Sequence, residues 1–537
     1  MADLRIGIDV GGTNTDAVVL DPDGRVIAKA KRPTTPEVTG GLRAALDAVL
    51  AELDSEGRQS VTRVMLGTTH ATNAILERRG LGRVAVVRLG APATTAVPPL
   101  SDWPDDLRKA VSAGEAVVPG GHYVDGREIS PLDLDAVRRF LDGVRADAVA
   151  VTSVFSPADD GHERRVAELV RAEYGLPVSV SCEIGSLGLL ERENATVLNA
   201  ALHGVAAHVT DALVTALAER GLGARPYLAQ NDGTLMTLEH AARLPVSTIG
   251  SGPANSLRGA AYLSGVADAV VVDVGGTSTD LGVLAGGFPR ESAAAVEIGG
   301  VLTNFRMPDI LAIALGGGTV VRQRGLGPDS VGYRIVREAL VFGGATATMT
   351  DAAVAAGRVP PGAHDWRERL RRALSEGERL QDDLSEEEVL QGDMSEEKAD
   401  ILESAVTRAD EMVIDAVDRM TLGRSDRPLV AVGGGAFLLP DHIPGVSRVI
   451  RPEHAEVANA VGAAIALASG RVDTILPAGD SRAAAIESAK EEARARAVAA
   501  GADPAGVEIV DLLEVPLSYL SEPAVRVHVK AAGPLAR

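Results

Sequence analysis

Two near-identical octapeptides hold the residues best suited to chemistry. Residues 9–16 read D-V-G-G-T-N-T-D and residues 273–280 read D-V-G-G-T-S-T-D, differing only at Asn14 against Ser278. Gly11, Gly12, Gly275 and Gly276 permit positive φ and let a backbone approach a ligand, so that successive N–H groups can face anionic oxygens. Thr13, Asn14, Thr277 and Ser278 add polar donors. A carboxylate just before each turn, Asp9 or Asp273, would be repelled by bare phosphate, so its presence calls for a bridging divalent cation, best Mg²⁺ with its waters kept. Turn geometry alone would not need the same Asp, Thr and Asp in both copies.

The elements around each copy fit that reading. An apolar, β-branched run precedes each octapeptide (6–10 and 270–274) and another follows it (17–20 and 281–284), which predicts two hairpins with glycines at their tips. Leu42, Leu46, Val49 and Leu50 share one helical face and should cover the first hairpin. The run V-T-R-V-M-L-G-T-T-H-A-T-N-A-I-L-E-R (61–78) passes from a strand through a turn into a helix, placing Thr68, Thr69, Thr72 and Asn73 at the helix start. Capping accounts for one such hydroxyl but not for four polar residues together, which leaves ligand contact as the other reading.

Strands near 82–89, 146–154 and 178–181, with a helix over 161–174, predict an α/β layered sheet. The stretch 103–127 reads as a surface excursion, with His122, Asp125 and Arg127 in it more plausible as solvated loop residues than as functional ones. A long helix is expected over 187–217, with Glu191, Arg192, Asn194, Thr196 and Asn199 beside an interdomain cleft. Gln230, Asn231, Asp232 and Gly233 end a strand, where ligands of open α/β sheets gather. Small residues Gly259, Ala260 and Ala261 suit a helix that packs tightly on the second hairpin. The triple glycines Gly316, Gly317, Gly318 and Gly433, Gly434, Gly435 each follow an apolar run and suggest close approach of a ligand. Residues 363–404 are strongly charged and read as solvated helices, with Ser385 and Ser395 starting capping boxes toward Glu388 and Lys398, and Leu380, Leu384, Val389 and Leu390 as apolar punctuation. From about 478 an Ala/Glu/Arg helix and two strands follow.

A chain of 537 residues with 46% hydrophobic content has room for about two to four domains with sizeable cores. The net charge of −21 argues against nucleic acid or an anionic membrane as the main partner. One cysteine, Cys182, excludes an intramolecular disulfide framework and is expected to be inert and buried. The N-terminus runs directly into a strand and no apolar stretch is long enough to span a bilayer, so the expected location is cytoplasmic.

Both hairpins, the later G-G-G-A after a strand and the small-residue helix behind it resemble the superfamily of acetate kinase, sugar kinases, Hsp70 and actin. More narrowly, G-T-T-H-A-T-N-A-I-L-E-R, E-R-E-N-A-T-V-L-N-A, S-G-P-A and M-P-D-I-L-A-I-A-L-G-G-G-T resemble the hydantoinase/oxoprolinase A-subunit family over roughly residues 4–470. The resemblance implies an α/β fold with two ribonuclease-H-like lobes, the actin-like ATPase duplication, around a nucleotide cleft. The expected boundaries are 1–186, 187–475 with the charged helical insertion 363–404, and a small C-terminal α+β appendage at 476–537. It also implies ATP and Mg²⁺ as cofactors, a cyclic amide (hydantoin, oxoproline or lactam type) or ketone as substrate, and a second, B-type subunit.

On this reading the two glycine turns cradle phosphates, and Asp9 and Asp273 hold the metal through water. Gly316–Gly318 also belong to the nucleotide site, and Gly433–Gly435 with Asn459 seat the adenosine. Thr68, Thr69, Asn73 and Asp309 serve the substrate side. The chain departs from longer members in its short C-terminal part and in L-G-G-G-T where G-A-G-G-G-S is usual. A sugar kinase and an ATP-switching reactivase or chaperone are the alternative readings of the same motifs.

Overall fold

The computed structural model describes residues 3–34, 38–292, 295–323, 325–375, 395–423, 426–477, 479, 482–517 and 523–536. Ser385, Glu388, Leu380, Leu384, Val389 and Leu390 lie outside them, as does the Lys398 side chain. The chain forms two compact units. One comprises residues 1–67, 252–290 and 308–465, the other 68–251, 291–307 and 466–537. Among the described residues no single helix is long and apolar enough to cross a membrane.

In the first unit, the strands Leu4–Val10 and Asn14–Leu20 form the expected antiparallel hairpin with Asp9 opposite Asp16. Val26–Pro33 continues it on one side and Val61–Thr68 on the other. The helix Val38–Ala51 covers this sheet with Leu42, Leu46 and Val49 fully buried, as their spacing predicts. The strands Val270–Val274 and Thr279–Ala285 form the second hairpin, with Asp273 opposite Asp280. Leu429–Val432 adds to it in parallel, and Ile310–Ile313 pairs with its outer strand.

One face of this second sheet packs on the helices Met349–Ala355 and Ser395–Thr421. The other packs on the helix Ser251–Ser264 through Leu257 and Ala260. The glycine of its small-residue run, Gly259, turns toward Ala458 and not toward the hairpin, which is met by the Leu257 side chain. Strands covered on both faces bury every side chain, which explains unbroken runs such as Val270, Val271 and Val272.

The second unit contains a parallel sheet in the order Ser112–Pro119, Val84–Ala91, Ala148–Ser153, Val178–Val180. Its alternating residues enter two separate cores, Val84 and Val86 on one face, Ala85, Val87 and Leu89 on the other. The stretch 103–127 is thus not a surface excursion. Trp103 is buried, and the residues after it form a helix, Asp105–Val111, and the edge strand of this sheet. The strand reads S-A-G-E-A-V-V-P, and an edge position tolerates the polar and proline residues that disguised it.

The expected long helix is two, Leu189–Ala201 and His203–Glu219, bent by 46°. Most polar residues of E-R-E-N-A-T-V-L-N are interior: Arg192, Glu193, Asn194, Thr196 and Asn199 are all buried. Arg88 and Glu193 form a two-point ion pair at 2.5 and 2.6 Å, Arg192 donates to the Ser153 and Ser186 carbonyls, and Trp103 donates to Asn194. The motif is an internal polar belt that holds this unit together. The C-terminal strands Glu508–Leu517 and Ala524–Gly533 are integral to the same unit, the latter pairing with Ala468–Pro477 over ten residues.

Candidate active site in the first unit

The two glycine turns are built alike. Gly11 N–H donates to Asn14 O at 3.0 Å, and Gly275 N–H to Ser278 O at 2.9 Å. None of Gly11, Gly12, Gly275 and Gly276 has positive φ, so left-handed backbone is not why they are glycine. A Cβ on Gly11 or Gly275 would sit 3.1 Å from the carbonyl oxygen that closes its own turn, whereas one on Gly12 would meet nothing within 4 Å. Gly12 leaves its side open, and a Cβ on Gly276 would find the Thr13 methyl at 3.6 Å. The tips of the two turns therefore lie against each other. The N–H groups of Gly11 and Gly275 close their own turns and are withdrawn from a ligand; those of Gly12, Thr13, Gly276 and Thr277 donate to no acceptor among the described residues.

Four carboxylates converge behind the turns. Asp9 and Asp16 are buried, and Asp9 accepts from Asn255 Nδ2 at 3.1 Å and from Asn459 Nδ2 at 3.0 Å. Asn459 Nδ2 also reaches Asp16 at 2.9 Å, and Lys31 Nζ lies 2.7 Å from the same carboxylate. Burial pushes Asp9 up to about 6, against its two amide donors and with help from the charges of Asp16 and Asp273. Burial also raises Asp273, opposed by the Ser256 hydroxyl and Lys31, and takes Asp280 up to about 7 with Asp273 adding to the rise. Each hairpin's acids thus feel those of the other. One ammonium, Lys31, does not balance four carboxyl groups, and a hard divalent cation is the partner such an oxygen-only set suits.

The helices that deliver these contacts touch through glycine. A Cβ on Gly259 would fall 1.8 Å from Ala458 O, one on Gly462 would fall 1.9 Å from Asn255 O, and one on Gly7 would fall 2.1 Å from Ala460 O. The N-terminal halves of Ser251–Ser264 and Ala458–Ile465 are thereby drawn to the carboxylates, with Asn255 and Ser256 on one and Asn459 on the other. Asn459 contacts Asp9 and Asp16.

The triple glycines meet protein, not open space. Gly317 and Gly318 donate to Gly275 O at 3.0 Å and Gly276 O at 2.7 Å, so the 316–318 segment braces the second turn from behind. Its N–H groups at 317 and 318 are therefore not free for phosphate, and the close approach inferred from sequence is to that turn. Gly433 has φ +85°, and a Cβ there would lie 2.2 Å from Asp273 Oδ1. Gly435 N–H donates to Val274 O at 2.8 Å, while Gly434 is unobstructed up to Lys31 Cε at 4.0 Å. Asp309 is 2.6 Å from Arg290 in an ion pair at the sheet edge and does not join the carboxylates.

Thr68, Thr69 and Asn73 belong to the second unit. There Thr68 Oγ1 lies 2.5 Å from His70 Nδ1, Thr72 Oγ1 donates to Ile249 O at 2.7 Å, and Thr69 and Asn73 occupy the first turn of the helix His70–Glu77. Sequence reasoning missed Lys31, Asn255 and Ser256, and left Asp16 and Asp280 out of the site. The last two were legible in the repeat itself. Asn255 was signalled only by the polar pair inside S-G-P-A-N-S.

A duplicated glycine turn over clustered carboxylates in an α/β unit defines the class of site. A family model for the hydantoinase/oxoprolinase N-terminal region matches residues 5–174, and one for hydantoinase/oxoprolinase matches residues 192–472. The chain belongs to the hydantoinase/oxoprolinase family. It is 29% identical over 399 residues to caprolactamase subunit alpha of Pseudomonas jessenii, covering 67% of this chain and 55% of that protein. It is 28% identical over 411 residues to the acetophenone carboxylase gamma subunit of Aromatoleum aromaticum, covering 69% and 56%. The chain thus spans about half the length of these relatives.

Among solved structures, the ATP-dependent caprolactamase from Pseudomonas jessenii aligns with a TM-score of 0.71 at 20% identity, covering 99% of this chain and 88% of that one. A nucleotide-free acetone carboxylase aligns at 0.66 and 19%, covering 100% and 88%. These likenesses carry the mixed α/β fold.

Proposed function

We propose that the first unit binds ATP with Mg²⁺ and transfers its terminal phosphoryl group to the oxygen of a cyclic amide or related carbonyl compound. The observation that carries this is the meeting of two near-identical glycine turns, tip against tip, over the acids of both hairpins. An amide resists water because its carbonyl is resonance-stabilised and its leaving nitrogen is poor. Phosphorylation of the oxygen gives an O-phosphoryl imidate. Water adds to its carbon, the adduct collapses with cleavage of the C–N bond to free the amine and an acyl phosphate, and a second water hydrolyses the acyl phosphate to carboxylate and phosphate. Such transfer asks a protein chiefly for positioning and charge neutralisation.

Here the N–H groups of Gly12, Thr13, Gly276 and Thr277 would hold phosphate oxygens, and Lys31 would add a positive charge beside them. Asp9 and Asp273 would hold the metal through its waters, with Asp16 and Asp280 behind them. The metal, when bound, would neutralise the phosphate charge. Gly434, open on its outer side, is the member of the 433–435 segment suited to the nucleoside. Thr68, Thr69 and Asn73 remain the candidates for the substrate side.

The relatives named as an ATP-dependent caprolactamase and as ketone carboxylase subunits support an ATP-dependent enzyme acting on amides or related carbonyl compounds. Their naming as subunits supports a companion chain for this one. The test is nucleotide binding and turnover. ATP should bind in the presence of Mg²⁺, Asp273→Asn should weaken that binding at least tenfold, and phosphate release should rise with a lactam or hydantoin when the companion subunit is present. Unchanged affinity in Asp273→Asn, together with no acceptor-dependent turnover across lactams, hydantoins and ketones, would sink the proposal.

A further inference from the structure

The second unit contains a pocket of about 390 Å³, open to solvent on one side, that the reading above does not use. It lies at the strand end 230–233 singled out in the sequence, between that turn, the 182–186 segment and the helix Arg482–Ala499. In a chain of net charge −21 its lining is notably basic, with Arg164, Arg243, Arg306, Arg471 and Arg496.

Four of these arginines already have acids: Arg164 with Asp160, Arg243 with Glu183, Arg306 with Glu291 and Arg496 with Glu492. Two acids that feel the Arg471 charge, Asp232 and Glu291, are themselves held by Lys530, at 2.9 and 3.5 Å. Arg471 differs. Its guanidinium makes no hydrogen bond and no ion pair among the described residues, although its charge is felt by Asp232 and Glu291. It also reaches His240, which burial, Arg243 and then Arg471 push down to about 4, so that ring is neutral and adds no competing cation.

A second polar group, His528, lines the pocket with acids only at longer range. His528 is 2% exposed, and neither of its ring nitrogens has a hydrogen bond. The nearest acids stand at 3.6 Å (Asp473) and 3.8 Å (Asp511). Asp473 is engaged by Arg526 at 2.7 and 2.8 Å. The remaining lining includes Ile184, Leu244, Val246, Phe305 and Ala499.

From this geometry we infer that the pocket is a binding site for a small organic monocarboxylate, whose two oxygens pair with Arg471 while its carbon body lies on the apolar wall. A planar guanidinium matches a carboxylate at two points. One unpaired cation matches one negative charge, which favours a monoanion over doubly charged phosphate. The apolar wall favours an organic acid over a bare inorganic anion. The site lies wholly in the second unit and does not rest on the nucleotide reading.

Hexanoate is the probe, titrated calorimetrically into the full chain at low ionic strength and neutral pH. Hexanamide serves as its uncharged counterpart and inorganic phosphate as the tetrahedral anion. Hexanoate should bind once per chain, weaken as salt is raised, and lose about tenfold or more of its affinity in Arg471→Gln. Arg471→Lys, which keeps the charge but not the two-point geometry, should fall between the two and serves if the glutamine variant does not fold. Arg164→Gln, at an arginine that already has an acid, should leave the affinity within about twofold of the parent. The inference is overturned if hexanamide binds as well as hexanoate, if both Arg471 variants bind hexanoate like the parent, or if phosphate binds more tightly than hexanoate.

Discussion

Replacing Asp9 by asparagine separates what this residue does for the fold from what it does for a ligand. Its carboxyl is raised from an ordinary 3.8 to about 6, chiefly by burial. An acid whose folded value lies above its unfolded one is penalised when ionised. The penalty is absent below the unfolded value, grows between about 4 and 6, and is complete above the folded value. At pH 7.5 it is about 3 kcal/mol, and at pH 5 about 1.5 kcal/mol. Asparagine cannot ionise and escapes it.

The substitution also turns one acceptor toward an amide donor, since both carboxylate oxygens accept from asparagine Nδ2 groups. Asn255 can resolve this by turning its amide, because its Oδ1 is buried without a partner. Urea unfolding should therefore find Asp9→Asn more stable than the parent at pH 7.5 by about 1–3 kcal/mol. That advantage should shrink by about 1.5 kcal/mol at pH 5, and this change with pH does not depend on the worth of the hydrogen bonds. In the same variant, affinity for ATP with Mg²⁺ should fall at least tenfold. A variant whose stability relative to the parent does not change with pH refutes the burial argument, and one that binds ATP with Mg²⁺ as before refutes the functional one.

Other substitutions test the remaining geometry. Gly12→Ala meets nothing within 4 Å and should leave thermal stability within about 1 kcal/mol while lowering nucleotide affinity; Gly259→Ala, aimed at Ala458 O from 1.8 Å, should cost several times more and reduce soluble yield. Glu193→Ala strands the fully buried Arg88 and should destabilise the second unit by about 3–5 kcal/mol, read by urea unfolding. The Cys182 thiol is pushed far up by burial and by Glu163, so its alkylation at pH 8 should be much slower than that of free cysteine in the same buffer.

The hairpins and the covering helix at 38–51 were legible because apolar periodicity and a near-exact internal repeat are signals carried by the sequence itself. The edge strand 112–119 was not, since an edge position removes the apolar alternation that marks a strand. The belt at 192–199 misled for another reason. Buried polar residues look like site residues until their partners are known, and those of Arg192 and Glu193 lie far away in sequence at Ser153 and Arg88. The role of Asn255 was hidden on the same grounds, its acceptor being 246 residues earlier.

The glycines make the same point about what a motif is for. Read locally, each pair or triplet suggested a ligand at its own position, yet most of the close approaches are between protein segments. Gly316 abuts the second turn, Gly433 makes room for Asp273, Gly7 and Gly462 admit neighbouring helix backbone, and Gly67 makes room for Asp9 and Asn255 at 2.2 and 2.3 Å. Gly12, Gly276 and Gly434 are the exceptions, because a Cβ there would meet nothing closer than a side-chain carbon at 3.6 Å. If close helix contact sets the spacing of the four carboxylates, then enlarging Gly259 or Gly462 must disturb Asp9 through Asn255 and Asn459 without altering either octapeptide. The repeated motif supplies the groups, and glycines outside it determine whether those groups meet.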